Sequence, residues 1–166
     1  MSWLEGKTAR LVGESPVIAA ALAAHGATLV DDGDCDVLLH IAAPPLAKPA
    51  HELSHAEWRA ALDSGLDQRF LLARDYAAMR RAAGKGGAVV YVGAPEQALG
   101  SDHAAAAGAL GNLTKTLGVE WARDGIRVNA ILTCETGETL GNLVAYLASD
   151  YAAYVTGAVM GVGLDD

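Results

Sequence analysis

Short apolar runs alternate along this chain with longer segments of helical periodicity. That alternation restricts it to a parallel sheet covered by helices on both faces. The runs Thr8 to Val12, Ala27 to Val30, Asp36 to Ile41, Ala88 to Val92, Arg127 to Leu132 and Ala158 to Val162 are predicted strands. Pro16 to His25 is a predicted helix, with Ser15 as its N-cap and Gly26 just past its end. Ser54 to Arg81 is predicted as one long helix. Ser54 and Glu57 form a capping box at its start, and Trp58, Leu62, Leu66 and Phe70 recur at a spacing of four along it. Asp102 to Arg123 carries Leu110, Leu113, Leu117 and Trp121 on one stripe, and Leu140 to Leu147 is the last helix. The expected architecture is a doubly wound α/β sheet of about six strands, in one domain spanning residues 1–166.

One spacing limits the strand order. Parallel neighbours need a crossover of about a dozen residues or more, yet only Asp31 to Cys35 separates the second run from the third. Those two runs can be parallel only on opposite sides of the first strand, or if one is very short. The charge balance narrows the function. A net charge of −8 leaves no basic surplus to neutralise phosphates, so nucleic acid is not an expected partner. No apolar run reaches the ~18 residues of a membrane span, and the first residues lack a basic segment followed by an apolar one. The two cysteines, Cys35 and Cys134, are far apart and show no metal-ligand spacing. The expectation is a cytoplasmic protein with no membrane partner and no metal.

The second half of the chain carries a family resemblance. Leu110 to Ile131 (LGNLTKTLGVEWARDGIRVNAI) closely resembles the helix and strand that follow the active site in short-chain dehydrogenases/reductases. Tyr146 to Asp150 (YLASD) and Tyr154 to Gly157 (YVTG) resemble the family's closing segment. Gly6 to Gly13 resembles the opening strand, Asp36 to His40 a later one, and Trp58 to Arg80 the long fourth helix. The resemblance implies a Rossmann-like fold that lacks the usual third strand, its flanking helices and the lid over the substrate.

The departures from the family pattern are as informative. The family uses a tyrosine acid/base, a lysine four residues later, a carbonyl-polarising serine and a relay asparagine. The corresponding positions here are His103, Ala107, Ala94 (Gly93 if the register slips by one) and Gly65. Alanine and glycine have no group that moves a proton. The Gly-rich phosphate loop is reduced to Gly13, Glu14 and Ser15, with a carboxylate where a diphosphate would sit. No catalytic residue and no cofactor bound by this chain are therefore expected.

What remains matches the segments through which the family oligomerises. The expected interface residues are Trp58, Leu62, Leu66, Phe70, Leu110, Leu113, Leu117, Trp121 and Tyr154. The main expectation is a non-catalytic subunit, not itself an enzyme. It would pair with a full-length active paralogue that binds NAD, in a heterotetrameric dehydrogenase of which the 2-(hydroxy(phenyl)methyl)succinyl-CoA type is one example. The C-terminal Gly161 to Asp166 is a candidate to reach a neighbouring site. Two alternatives are a divergent active NAD(P)-dependent oxidoreductase using His103, with Tyr91 or Ser101, and a small-molecule-binding module. A hydrolase built on Ser101, Asp102 and His103 is not expected, because consecutive residues at a helix start diverge.

Overall fold

The computed structural model describes residues 2–42, 48–95 and 100–162. Its elements are β1 (Thr8–Val12), α1 (Pro16–Ala24), β2 (Thr28–Val30), β3 (Val37–Ile41), α2 (His55–Leu62), α3 (Gln68–Ala82), β4 (Gly87–Gly93), α4 (Ser101–Glu120), β5 (Ile126–Thr133), α5 (Glu138–Ala148) and β6 (Val159–Val162). The six strands form one parallel sheet in the order β2-β1-β3-β4-β5-β6. β2 and β3 flank β1 on opposite sides, as the short connection between them requires.

Period-two alternation divides the central strands between two cores. Val37, Leu39, Ala88, Val90 and Val92 point to the face covered by α1 and α5, where Ile18, Leu22, Val144 and Leu147 pack. Leu38, Val89, Tyr91, Val128 and Ala130 point to the face covered by α3 and α4. Two polar side chains tie this second layer to the strand starts. The Tyr76 hydroxyl donates to the Asp36 carbonyl at 2.7 Å and accepts from the Ala88 N–H at 3.1 Å. The Arg80 guanidinium donates to Asp34, Asp36 and the Gly86 carbonyl.

The long predicted helix is not continuous. A π-helical turn over Asp63–Asp67 separates α2 from α3. The extra residue rotates everything after it by about 100°, so the expected stripe breaks. Trp58, Leu62 and Leu66 stay half-buried, Phe70 turns outward to 39% exposure, and Arg69 takes the inward position at 3%. Gly65 sits in this turn against α4, where a Cβ would come within 2.9 Å of the Ala106 Cβ. An asparagine at position 65 has no room without a shift of one helix.

The interface expectation needs correction on α4 and just beyond it. Leu110, Leu117 and Trp121 are 0%, 3% and 5% exposed and belong to this chain's own core beneath the sheet. Their stripe faces β4 and β5, so they are not free for a partner. Leu113 is half-buried against the same cluster, whereas Tyr154 is fully exposed. The capping box on α2 forms as expected, with the Ser54 hydroxyl and Glu57 carboxylate bonded reciprocally. Of the C-terminal segment Gly161 to Asp166, all but the first two residues lie outside the described residues. Among the described residues, no helix is long and apolar enough to cross a membrane.

Candidate active site

A crevice of about 370 Å³ opens at the C-terminal ends of the central strands. Open α/β sheets bind ligands at this edge, because the strands stop there while the loops diverge. Its floor is apolar and built from small residues, among them Val92, Gly93, Ala94, Ala106 and Ala107. The structure brings Gly65, Ala94, His103 and Ala107, read from separate segments of the sequence, to this one crevice, with Glu14 and Ser15 at its edge. Cys134 and Glu135, from the turn after β5, complete the rim.

His103 lies in the first turn of α4, with Asp102 beside it. Its Nδ1 is 3.1 Å from Asp102 Oδ2. The two groups touch out of hydrogen-bonding alignment: His103 Nδ1 and Asp102 Oδ1 are buried atoms without a hydrogen-bond partner among the described residues. The three consecutive residues Ser101, Asp102 and His103 form no hydrogen-bonded triad. Burial would raise the Asp102 carboxyl, but the His103 N–H and ring outweigh it and hold it below its ordinary value. The carboxylate is therefore ionised at neutral pH, and the helix N-terminus favours that charge. Ser101 is exposed at the helix start.

Tyr91, the other candidate acid, is unavailable. It is fully buried under the sheet, its hydroxyl donates to the Arg69 carbonyl at 3.3 Å, and burial pushes its pKa well above the ordinary phenol value. The residue that sequence reasoning missed is Arg69. Its guanidinium donates from Nε to His40 Nδ1 at 3.2 Å and from one terminal nitrogen to the Val92 carbonyl at 3.1 Å. Burial lowers the Arg69 pKa to about 10, so it stays charged at neutral pH. Only the π turn places it here, and helical spacing alone gives no signal for that.

The nucleotide side of the crevice is reduced. Gly13, Glu14 and Ser15 are all that separate β1 from α1. Gly13 has φ +94°, and a Cβ there would collide with the Ile41 carbonyl, so this turn requires glycine. The Ser15 hydroxyl caps α1 by accepting from the Ile18 N–H at 3.4 Å, and Pro16 at the first helical position has no N–H to offer. The residues that would meet a dinucleotide's diphosphate are those at the α1 N-terminus, where Glu14 sets a carboxylate against it. Replacing Glu14 by Gln is expected to tighten NADPH binding roughly two- to fivefold, the effect of removing one exposed like charge. Fluorescence titration measures it, and unchanged affinity would remove Glu14 from the nucleotide path.

The family model described as enoyl-(acyl carrier protein) reductase matches residues 18–136. A (2S)-[(R)-hydroxy(phenyl)methyl]succinyl-CoA dehydrogenase subunit from Thauera aromatica is 31% identical, over 95% of this chain and 77% of that protein. The chain belongs to the short-chain dehydrogenase/reductase family. A cis-4-hydroxycyclohexanecarboxylate dehydrogenase from Sinomonas cyclohexanicum is 34% identical over 78% of this chain and 65% of its own length. For a tropinone reductase homologue from Arabidopsis thaliana the identity is 26%, over 78% of this chain and 61% of that protein. The chain thus spans less than two thirds of these last two relatives. A short-chain type dehydrogenase/reductase structure from Mycobacterium marinum superposes with a TM-score of 0.88 at 20% identity, over 96% of this chain and 94% of that one. A 2-deoxy-d-gluconate 3-dehydrogenase candidate from Agrobacterium tumefaciens, with bound NADP, gives 0.85 at 24% identity, over 96% and 95%. At these identities the structures establish the fold.

The expectation that the chain is not an enzyme is corrected by these findings. Its family relatives are named dehydrogenases and reductases, and they point to an oxidoreductase. Missing tyrosine and lysine side chains were read as missing chemistry. Besides His103, which the alternative reading already used, the fold brings the Arg69 guanidinium from the start of α3 to the same crevice.

Proposed function

We propose that this chain is a nicotinamide-nucleotide-dependent oxidoreductase of the short-chain dehydrogenase type, interconverting an alcohol and a carbonyl. The observation that carries the reading is the convergence of His103, with Asp102 behind it, on an apolar crevice at the strand ends. A bound nicotinamide would supply the hydride chemistry. The protein's own part is to move the hydroxyl proton and to hold the substrate against water. Histidine suits the first task, because it both gives and takes a proton near neutrality. The Asp102 carboxylate lies beside the ring, with its Oδ2 3.1 Å from His103 Nδ1. The small residues at 65, 94 and 107 leave space over the floor for the reacting carbon. Two relatives are named for secondary alcohols, 4-hydroxycyclohexanecarboxylate and hydroxy(phenyl)methylsuccinyl-CoA, in keeping with this reaction class.

The same proposal includes assembly with a full-length family member. Phe70 and Leu71 on α3 and Val119 on α4 are apolar and exposed, at 39%, 42% and 78%, and one relative is named as a dehydrogenase subunit. The test of the activity is titration of NADH and NADPH onto the purified protein, followed by assay with cyclic secondary alcohols and NAD+ or NADP+ as hydride acceptor. Saturable binding of one nucleotide and alcohol-dependent reduction are expected. If neither nucleotide binds nor raises the melting temperature, the oxidoreductase reading fails.

A further inference from the structure

We infer that Arg69 makes the floor of the crevice an anion site, and that the substrate carries a carboxylate held there. The inference rests on the crevice being the substrate site, as proposed above. A guanidinium taken out of water costs several kcal/mol unless its charge and donors are met, so buried arginines are normally found with carboxylates. Arg80 in this same chain shows the usual solution, with Asp34 and Asp36 both on its guanidinium. Arg69 is as deeply buried, at 3% exposure against 5%, yet among the described residues it has no ion-pair partner. Its two hydrogen bonds go to neutral acceptors, the His40 ring and the Val92 carbonyl. Arginine has five N–H donors; these bonds use two, the guanidinium lies 6.0 Å over the Tyr91 ring, and the residue lines the crevice.

The surroundings are shaped to present that group. Gly93 lies against it, a Cβ there coming within 3.3 Å of one terminal nitrogen, so any side chain at the end of β4 would crowd the guanidinium. The π turn rotates Arg69 inward, and such turns recur at functional sites because they redirect a side chain at the cost of helix regularity. The carboxylates that line the crevice, Glu14 and Glu135, make no ion pair with it. The walls are mostly apolar, with Glu14 and Glu135 at the rim, so a ligand that satisfies the site has an apolar body and one small anionic group at Arg69. A planar carboxylate meets the guanidinium fork with two parallel hydrogen bonds.

The probe is cyclohexanecarboxylate, with cyclohexanecarboxamide as its neutral isostere, titrated by calorimetry onto the whole protein at neutral pH. A charged hydrogen-bonded pair predicts that the carboxylate binds about tenfold or more tightly than the amide. Arg69→Met should abolish that preference, and Arg69→Lys, which keeps the charge and loses the fork, should retain part of it. Equal affinity for the two compounds in the unsubstituted protein overturns the inference, and so does a preference undiminished in Arg69→Met. If Arg69→Met does not fold, the preference of the unsubstituted protein and its decline in Arg69→Lys decide the matter. Carboxylate preference without NADH or NADPH binding would leave the anion site standing and remove the oxidoreductase reading. Nucleotide binding without carboxylate preference would do the reverse.

Discussion

Replacing His103 by alanine is expected to lower turnover about 10²- to 10⁴-fold, the usual worth of a positioned general acid/base. The size follows from what else lines the crevice. Reduction of a carbonyl leaves an alkoxide that must gain a proton, and oxidation of the alcohol must lose one. Glu14 and Glu135 are at the rim, Arg69 is cationic, and the floor is alanine, glycine and valine. His103 is therefore the one group on α4 placed to serve in both directions. Asp102→Asn should lower turnover by a smaller factor, since it removes only the charge beside the ring and leaves the ring in place. Steady-state assays with the nucleotide found to bind would measure both. The informative quantity is kcat, because a residue that acts in proton transfer changes kcat and kcat/KM together, while one that only binds changes KM. Retention of activity within about threefold in His103→Ala would sink its role, and attention would pass to Cys134 and Glu135.

The sequence made the sheet legible because parallel strands buried on both faces read as short, nearly continuous apolar runs. It even constrained the order, since the five residues from Asp31 to Cys35 cannot make a crossover between adjacent strands. Six strand ranges fall within about two residues of those expected. The crevice was legible in part: four positions read by alignment with the family, Gly65, Ala94, His103 and Ala107, meet in space. What stayed hidden had one physical source. The π turn at Asp63–Asp67 has no residue signature, and it changes the phase of every side chain after it. Spacing by fours from Trp58 puts Phe70 inside, whereas the structure puts Arg69 there and Phe70 out. An arginine that follows Asp67 and Gln68 looks in sequence like a surface residue.

Acid should destabilise this protein before the Asp34 and Asp36 carboxylates titrate, and His40 is the reason. The ring is 5% exposed on β3, and its Nδ1 accepts a hydrogen bond from Arg69 Nε, which requires that nitrogen to be unprotonated. Burial first, and then the adjacent guanidinium, pull its pKa down to about 4. In the unfolded chain a histidine titrates near ~6.5. The folded value is the lower one, so the unfolded chain binds the proton more readily. The contribution is complete above pH ~6.5 and is lost as pH falls toward 4, a loss of roughly 3 kcal/mol over that window. Asp34 and Asp36 have pKa values below the ordinary carboxylate value and titrate in a lower range, so the two effects are separable. Urea unfolding from pH 7 to 4.5 should show the decline, and His40→Asn should flatten most of it, because the asparagine oxygen can accept from Arg69 without titrating. The absolute stability of the variant matters less than its slope against pH. Parallel loss of stability in the two proteins would mean that His40 is charged in the folded state. Arg69 could not then donate to its Nδ1, and the guanidinium that anchors the proposed anion site would need another support.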